Sequence, residues 1–444
     1  MLKLRVFMQD ILTPFRAILL GFFLMILLGA LLLKLPISSM DRCSVPFIDA
    51  LFTSASASCV TGLIIYDTAT HWSLFGKFVI IVLIQIGGIG VITALTCALL
   101  MAGKKIGLLE RVTLQDSVGA PSIGGIIRFV RFLISGTILI ETFGALLLFP
   151  VFVKEFGLWK GIGYAFFHSI SAFCNAGFDL MGVKQTYSSL TSYSNHLLVN
   201  LVIMALIVIG GIGFMTWMDL LKGKPKVMKL QTKVILVSTA CLILFPFLYF
   251  FFIEFREIDL GERTLLALFQ TITPRTAGFN TYDYGSMSDT GLLITILLMM
   301  TGGAPGSTAG GMKVTTVFVI VLSTHAFLRR QTDVNIFKRR IGPDVVQSSL
   351  TIFTVYLELL LLGTLLISNF ENMHLMQAMF ECASALGTVG LTTGVTPALH
   401  DVSKIILILF MYFGRVGGLT VGYAIVSTTK KINRRYPEEK VTVG

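Results

Sequence analysis

The chain is 444 residues long, with 55% of residues in the hydrophobic set, 13% charged and a formal net charge of +11. Soluble domains carry roughly 25% charged residues, so this balance excludes a single water-soluble core. The positive charge does not indicate a nucleic-acid binder either, because the basic residues fall in short linkers between apolar runs, away from any aromatic-bearing soluble face.

Crossing about 30 Å of hydrocarbon takes about 20 apolar residues in a helix. The stretches 17–33, 78–102, 197–218 and 234–253 contain no charge. In chain order, hydrophobic runs predict eight long segments at 17–35, 76–102, 130–153, 196–221, 233–254, 290–327, 345–369 and 402–428. The first reads as a spanning helix, because no small-residue cleavage site follows it. Six cysteines (Cys43, Cys59, Cys97, Cys174, Cys241, Cys382) show no paired spacing and read as small packing residues.

Linkers after the even-numbered segments are basic: Lys104, Lys105, Arg111, Arg128 and Arg131; then Lys222, Lys224, Lys226, Lys229 and Lys233; then Arg329, Arg330, Lys338, Arg339 and Arg340. The tails match them through Lys3, Arg5 and Arg16, and through Lys430, Lys431, Arg434, Arg435 and Lys440. The positive-inside rule then puts both termini in the cytoplasm. The opposite linkers hold Asp41, Asp49, Asp67, Asp179, Glu254, Glu257, Asp259, Glu262, Asp283 and Asp289. Two readings stay open: a negative outer vestibule that concentrates cations, or loops in which basic residues are simply not selected.

Each outer linker contains a segment too apolar for a free loop and too short to cross. Aligned on an aromatic anchor, the four are FTSASASCVTG (52–62), FHSISAFCNAG (167–177), FQTITPRTAG (269–278) and FECASALGTVG (380–390), the third one residue shorter. A period near 110 residues marks a repeated unit of helix, re-entrant segment and helix. A half-span helix ending near Ser58, Phe173, Pro274 or Leu386 points its negative end into the membrane and favours a cation there. The chain then climbs back in a non-helical path, tolerated at membrane depth only where it lines a watery cavity or is shielded by protein. Four such segments about one axis make a ring of carbonyl oxygens, the device that replaces the hydration shell of potassium in channels. Close packing through small residues is the competing account, and four copies between equivalent spans weigh against it.

The second long segment of each repeat carries a glycine cluster: GGIG (87–90), GGIG (210–213), TGGAPGSTAGG (301–311) and GRVGG (414–418). The first two read as sites of close helix packing. The third holds Pro305 and five glycines in ten residues and predicts a helix broken at membrane depth. It is not a phosphate-binding loop, since Met312 precedes Lys313 and Val314 stands where Ser or Thr is needed. Arg415, midway along the last span, is a functional candidate because a charge there is costly without water or a partner. Lys313 either bonds backbone carbonyls or snorkels to the cytoplasm, the second reading being favoured. Glu141 and Glu358 read as buried, hydrogen-bonded carboxyls at helix contacts, and His168 is the one histidine beside a pore segment.

These motifs resemble the potassium-translocating membrane subunits of the bacterial Trk and Ktr systems, more closely the Ktr type, KtrB, over essentially the whole chain. The resemblance implies an all-α membrane protein: four tandem helix, pore-loop, helix repeats around a pseudo-fourfold pore, with eight transmembrane helices and four half-span pore helices. The expected division is a cytoplasmic segment 1–16, repeats at 17–102, 103–221, 222–327 (with an intramembrane gate loop 301–312) and 328–428, and a cytoplasmic tail 429–444. It implies a selectivity filter at Val60, Thr61 and Gly62; Asn175, Ala176 and Gly177; Thr276, Ala277 and Gly278; and Thr388, Val389 and Gly390, with K+ at the four glycines.

One glycine per repeat, against two in TVGYG channels, predicts fewer ordered carbonyl layers. The gate would comprise Gly302, Gly303, Ala304, Pro305, Gly306, Ser307, Thr308, Ala309, Gly310, Gly311, Lys313 and Arg415. Implied partners are membrane lipids, a second copy in a homodimer and a cytoplasmic KtrA-like nucleotide-binding ring. The expected function is potassium uptake across a bacterial cytoplasmic membrane, with no enzymatic activity and no organic cofactor. Dependence on Na+ stays open, and a sodium-coupled cation symporter is the alternative, although every repeat runs in the same direction and the inverted halves of such carriers are missing.

Overall fold

A computed structural model describes residues 14–101, 107, 111–115, 124–223, 228–331, 333–418, 437 and 439. The basic residues Lys3, Arg5, Lys104, Lys105, Lys224, Lys226, Lys430, Lys431, Arg434, Arg435 and Lys440 lie outside the described residues, as does most of the expected tail 429–444.

The described chain is almost wholly helical and falls into four successive units. The first holds α1 (Pro14–Lys34), α2 (Phe47–Ser58), α3 (Leu74–Ile89) and α4 (Val91–Met101). The second holds α5 (Ile126–Phe156), α6 (Leu158–Phe173), α7 (Leu197–Gly211) and α8 (Phe214–Leu221). The third holds α9 (Leu230–Tyr249), α10 (Leu260–Ile272), α11 (Asp289–Met300) and α12 (Val314–Leu328). A short hairpin, β1 (Val334–Ile336) paired antiparallel with β2 (Arg339–Ile341), leads to the fourth, α13 (Pro343–Glu371), α14 (Leu375–Gly387) and α15 (Asp401–Val416).

The four outer helices cross as continuous apolar rods: Phe15–Lys34, Ile126–Phe156, Leu230–Glu254 and Pro343–Glu371. Because α1 is apolar all round, packing alone decides its inner face. Phe22, Ile26, Ala30 and Leu33 are buried while Phe23, Leu24, Leu28 and Leu31 lie open on the surface, as on a membrane helix. The short helices α2, α6, α10 and α14 are the predicted half-span pore helices.

The inner helices differ from the sequence expectation. Close packing was favoured for the first two glycine clusters, and it is present: a Cβ built on Gly87 would lie 2.1 Å from the Ser58 carbonyl oxygen, and one on Gly210 would lie 2.0 Å from that of Phe173. Yet the same clusters also break their helices, with α3 and α4 bent by 98° and α7 and α8 by 95°. Gly90 and Gly213 turn the chain at φ 95° and 89°, angles that residues with a Cβ rarely adopt. In the third unit, residues 301–313 separate α11 from α12, as the proline predicts.

The units close into a ring. The inner helix of each packs on the pore helix of the next: α3 on α6, α7 on α10, α11 on α14 and α15 on α2. At the closing seam Lys404 Nζ donates to Asp49 Oδ1 at 2.7 Å, joining α15 to the first turn of α2.

Candidate functional site

At the centre of the ring each pore helix gives way to a short strand of alternating handedness. The backbone is left-handed at Val60 (φ 58°), Asn175 (59°), Thr276 (70°) and Thr388 (52°), and again two residues on at Gly62 (100°), Gly177 (70°), Gly278 (79°) and Gly390 (97°). Thr61, Ala176, Ala277 and Val389 lie between them without positive φ. Such alternation turns successive amides to one side, and here that side is the parent pore helix. Thr61 N donates to Ser56 O (2.8 Å), Ala176 N to Ser171 O (2.8 Å), Ala277 N to Thr273 O (2.9 Å) and Val389 N to Ser384 O (2.8 Å).

The four glycines lie side by side in sequence order around a closed ring. A Cβ built on Gly62 would sit 2.5 Å from Ala176 O, on Gly177 2.8 Å from Ala277 O, on Gly278 2.4 Å from Val389 O, and on Gly390 2.1 Å from Thr61 O. Each glycine is thus required twice, by its backbone angle and by the neighbouring carbonyl. With the amides tied back, the carbonyl oxygens of Thr61, Ala176, Ala277 and Val389 lie one beside each neighbouring glycine around the ring, and a ring of carbonyls is able to take the place of a cation's water shell. The structure brings together all twelve residues predicted for the filter.

The sequence reading missed the hydroxyls that hold these strands. Four residues beyond each anchor aromatic stand Ser56, Ser171, Thr273 and Ser384, all buried. Ser56 and Ser384 accept from the amides of Gly62 and Gly390 at 3.0 Å each. Ser171 and Thr273 instead donate to the carbonyls of Phe178 (2.7 Å) and Phe279. The signal was present in the aligned motifs as a column of four hydroxyl residues. The Asn175 amide is oriented with its nitrogen donating to Ala172 O (3.1 Å) and Ile207 O (3.2 Å), leaving its oxygen toward the Thr276 hydroxyl.

Directly against the ring lies the 301–313 loop, stitched to the second and fourth units. Ala304 N donates to Gly211 O (2.9 Å), Phe214 N to Gly306 O (2.8 Å), Gly311 N to Gly414 O (3.0 Å), and the Thr308 hydroxyl to Phe173 O (3.1 Å). Gly310 backs onto Thr388 so closely that a Cβ would fall 2.0 Å from its Oγ1. Arg415 reaches across: its guanidinium donates to the carbonyls of Thr308 in the loop and of Gly87 and Gly88 in the first unit, the last at 3.1 Å. Arg415, Lys313, Gly306, Ser307 and Ala309 line a cavity of about 160 Å³ together with Gly90 and Ile18.

Two expectations are corrected and one open reading is narrowed. Lys313 does not snorkel; its Nζ closes the loop by donating to Ala309 O (2.8 Å) and Gly310 O (3.3 Å). Glu358 is not buried but lies exposed on α13, whereas Glu141 is buried and accepts from Gln85 Nε2 at 3.1 Å. The outer acidic residues do not all face an open vestibule. Asp49 is engaged by Lys404 and by the Tyr66 hydroxyl (2.7 Å), and Asp67 accepts from the amides of Ala69, Thr70 and Tyr187 at 3.0 Å each. Asp49 fastens a loop and the last inner helix to α2, and Asp67 fastens one outer loop to another.

Residues 25–433 match the TrkH family, described as a cation transport protein. The chain is 39% identical to the potassium/sodium uptake protein NtpJ of Enterococcus hirae over 98% of each chain. It is 40% identical to the Ktr system potassium uptake protein B of Bacillus subtilis over 97% of each. The crystal structure of the potassium transporter TrkH from Vibrio parahaemolyticus superposes with a TM-score of 0.75 at 20% identity, covering 96% of this chain and 87% of that one, which establishes the shared fold. A multi-pass arrangement of apolar helices, a pseudo-fourfold ring and these matches agree: the chain belongs to the TrkH family of cation transport proteins, whose members are transporters and not enzymes.

Proposed function

We propose that the chain carries potassium into a bacterial cell across the cytoplasmic membrane, with both termini inside. The observation that carries this reading is the ring of Gly62, Gly177, Gly278 and Gly390, whose strands have their amides bonded to the pore helices and their carbonyls free to bind a dehydrated ion. The filter comprises those glycines with Val60, Thr61, Asn175, Ala176, Thr276, Ala277, Thr388 and Val389. With one glycine per strand it offers one well-defined dehydrated site. The names of relatives that match nearly end to end as potassium uptake proteins support potassium as the ion.

The gate is the loop 302–311, closed by Lys313 and pinned by Arg415. Five oxygens of the loop and its neighbours satisfy these two cations, and the positive charge beneath the filter raises the barrier to another cation. Opening requires the loop to leave its bonds with Gly211, Phe214 and Gly414. A cytoplasmic KtrA-like nucleotide-binding ring supplies the energy by binding the open state more tightly, and the pore chains pair as a homodimer. The description of one relative as part of a Ktr system supports such a partner. Sodium dependence, with a sodium-coupled symporter as the second reading, is supported by the name potassium/sodium uptake protein. Rubidium uptake by proteoliposomes, with and without sodium and the nucleotide-binding ring, tests these readings. Uptake driven by a potassium gradient alone supports the pore, and strict dependence on a sodium gradient supports the symporter.

A further inference from the structure

Besides the clamping hydroxyls, a second column of the aligned motifs meets the strands from behind, and the argument rests on the filter reading just given. Immediately after each anchor aromatic stand Thr53, His168, Gln270 and Glu381. The last three are each 0% exposed, yet all are polar and all reach past the glycine ring to the chain just outside it. His168 Nε2 accepts from Leu180 N (3.2 Å) while its Nδ1–H donates to Tyr164 O (2.7 Å), the bonding of a neutral imidazole. Gln270 donates to the Thr281 hydroxyl (3.3 Å) and accepts from that of Tyr284. Glu381 Oε1 accepts from the Thr392 hydroxyl (2.6 Å) and the Thr393 amide (3.1 Å), and Oε2 accepts from the Thr396 hydroxyl (2.7 Å). Thr53 turns back to Asp49 O in its own helix (3.0 Å); in that unit the tie lies one turn earlier, where Asp49 accepts from Tyr66.

We infer that His168, Gln270 and Glu381 are positioning residues for ion preference, pegs that fix the outer ends of three filter strands to their pore helices. The clamping hydroxyls fix each strand around its glycine, but a carbonyl ring discriminates between ions only if its oxygens cannot follow the smaller ion inward. Each peg supplies that resistance from behind, through side chains already desolvated and therefore strongly held. Glu381, with four donors on two oxygens, the Thr393 hydroxyl at 3.5 Å among them, and a charge, is the strongest of the three. Four different side chains in one aligned column predict that the strands differ in stiffness.

The test is rubidium uptake by the full chain in cells lacking their own potassium uptake, with potassium and sodium as competitors. Glu381→Ala removes charge-assisted bonds and is expected to lower the preference for potassium over sodium by about tenfold, with Glu381→Gln, which keeps one acceptor but loses the charge, falling between it and the unaltered chain. Thr396→Val removes one donor with little change of volume and is expected to act in the same direction if Glu381→Ala fails to reach the membrane. Thr53→Ala is expected to leave the preference as it is. The inference is overturned if Glu381→Ala and Thr396→Val change only the amount of uptake while the competition curves stay put. A Gly278→Ser variant that still loses potassium preference in that case would leave the filter assignment standing.

Discussion

Arg415 donates to the carbonyl oxygen of Thr308, tying the last inner helix to the intramembrane loop just below the glycine ring. The same guanidinium holds Gly87 and Gly88 of the first unit, so one side chain links the third unit's loop to the first unit across the ring. Removing it should release the loop. Arg415→Ala is expected to raise rubidium flux in the absence of any regulator by about tenfold, the population shift that loss of charged hydrogen bonds of roughly 1.5–3 kcal/mol allows. Arg415→Lys, a point charge unable to span both partners, should fall between. Unchanged basal flux in both variants would rule out this role.

Gly310 offers a second handle on the same element. Its missing Cβ leaves room for Thr388 Oγ1, so Gly310→Ala puts a methyl 2.0 Å from that oxygen unless the loop moves. The closed packing of loop on filter should loosen, giving a leak without regulator and a weaker response to it. Purified protein with normal regulated flux would show that the loop does not seat on Thr388 when shut.

The Asp49 and Lys404 pair closes the ring of units, with side chains only 9% and 10% exposed. Breaking a buried pair from one side costs about 3–5 kcal/mol because the surviving charge is left unpaired. Lys404→Met alone should therefore lower the thermal midpoint markedly in detergent, and Asp49→Asn with Lys404→Met should recover part of the loss. Equal midpoints for the single and double variants would mean that the seam is held by other contacts.

The hydroxyl column predicts graded effects. Ser56→Ala and Ser384→Ala each take an acceptor from a filter glycine amide, worth about 1 kcal/mol. Each should weaken half-maximal rubidium uptake by roughly fivefold, and the pair together more. Uptake affinity insensitive to both would show that the helix carbonyls alone hold these strands.

The elements legible in the sequence were those with local chemistry repeated four times. The anchor aromatic and the filter glycine recur ten residues apart in three repeats and nine apart in the third, so the filter strands could be read as a set, and Pro305 announced the broken third inner helix. The bends at Gly90 and Gly213 were hidden, because a glycine cluster inside an apolar run reads the same whether it admits a neighbouring helix or ends its own. Both happen here within four residues. Lys313 was misjudged since snorkelling and bonding to carbonyls demand the same side chain. The Asp49 and Lys404 contact spans 355 positions and leaves no local trace. The peg column was visible but disguised by chemistry, being Thr, His, Gln and Glu in turn.

The most direct test of the glycine ring is competition of potassium and sodium for rubidium uptake by Gly278→Ser, since a side chain at that position meets the Val389 carbonyl at once. The ring predicts loss of potassium preference while the protein still reaches the membrane in normal amount. Competition curves identical to those of the unaltered chain would contradict it.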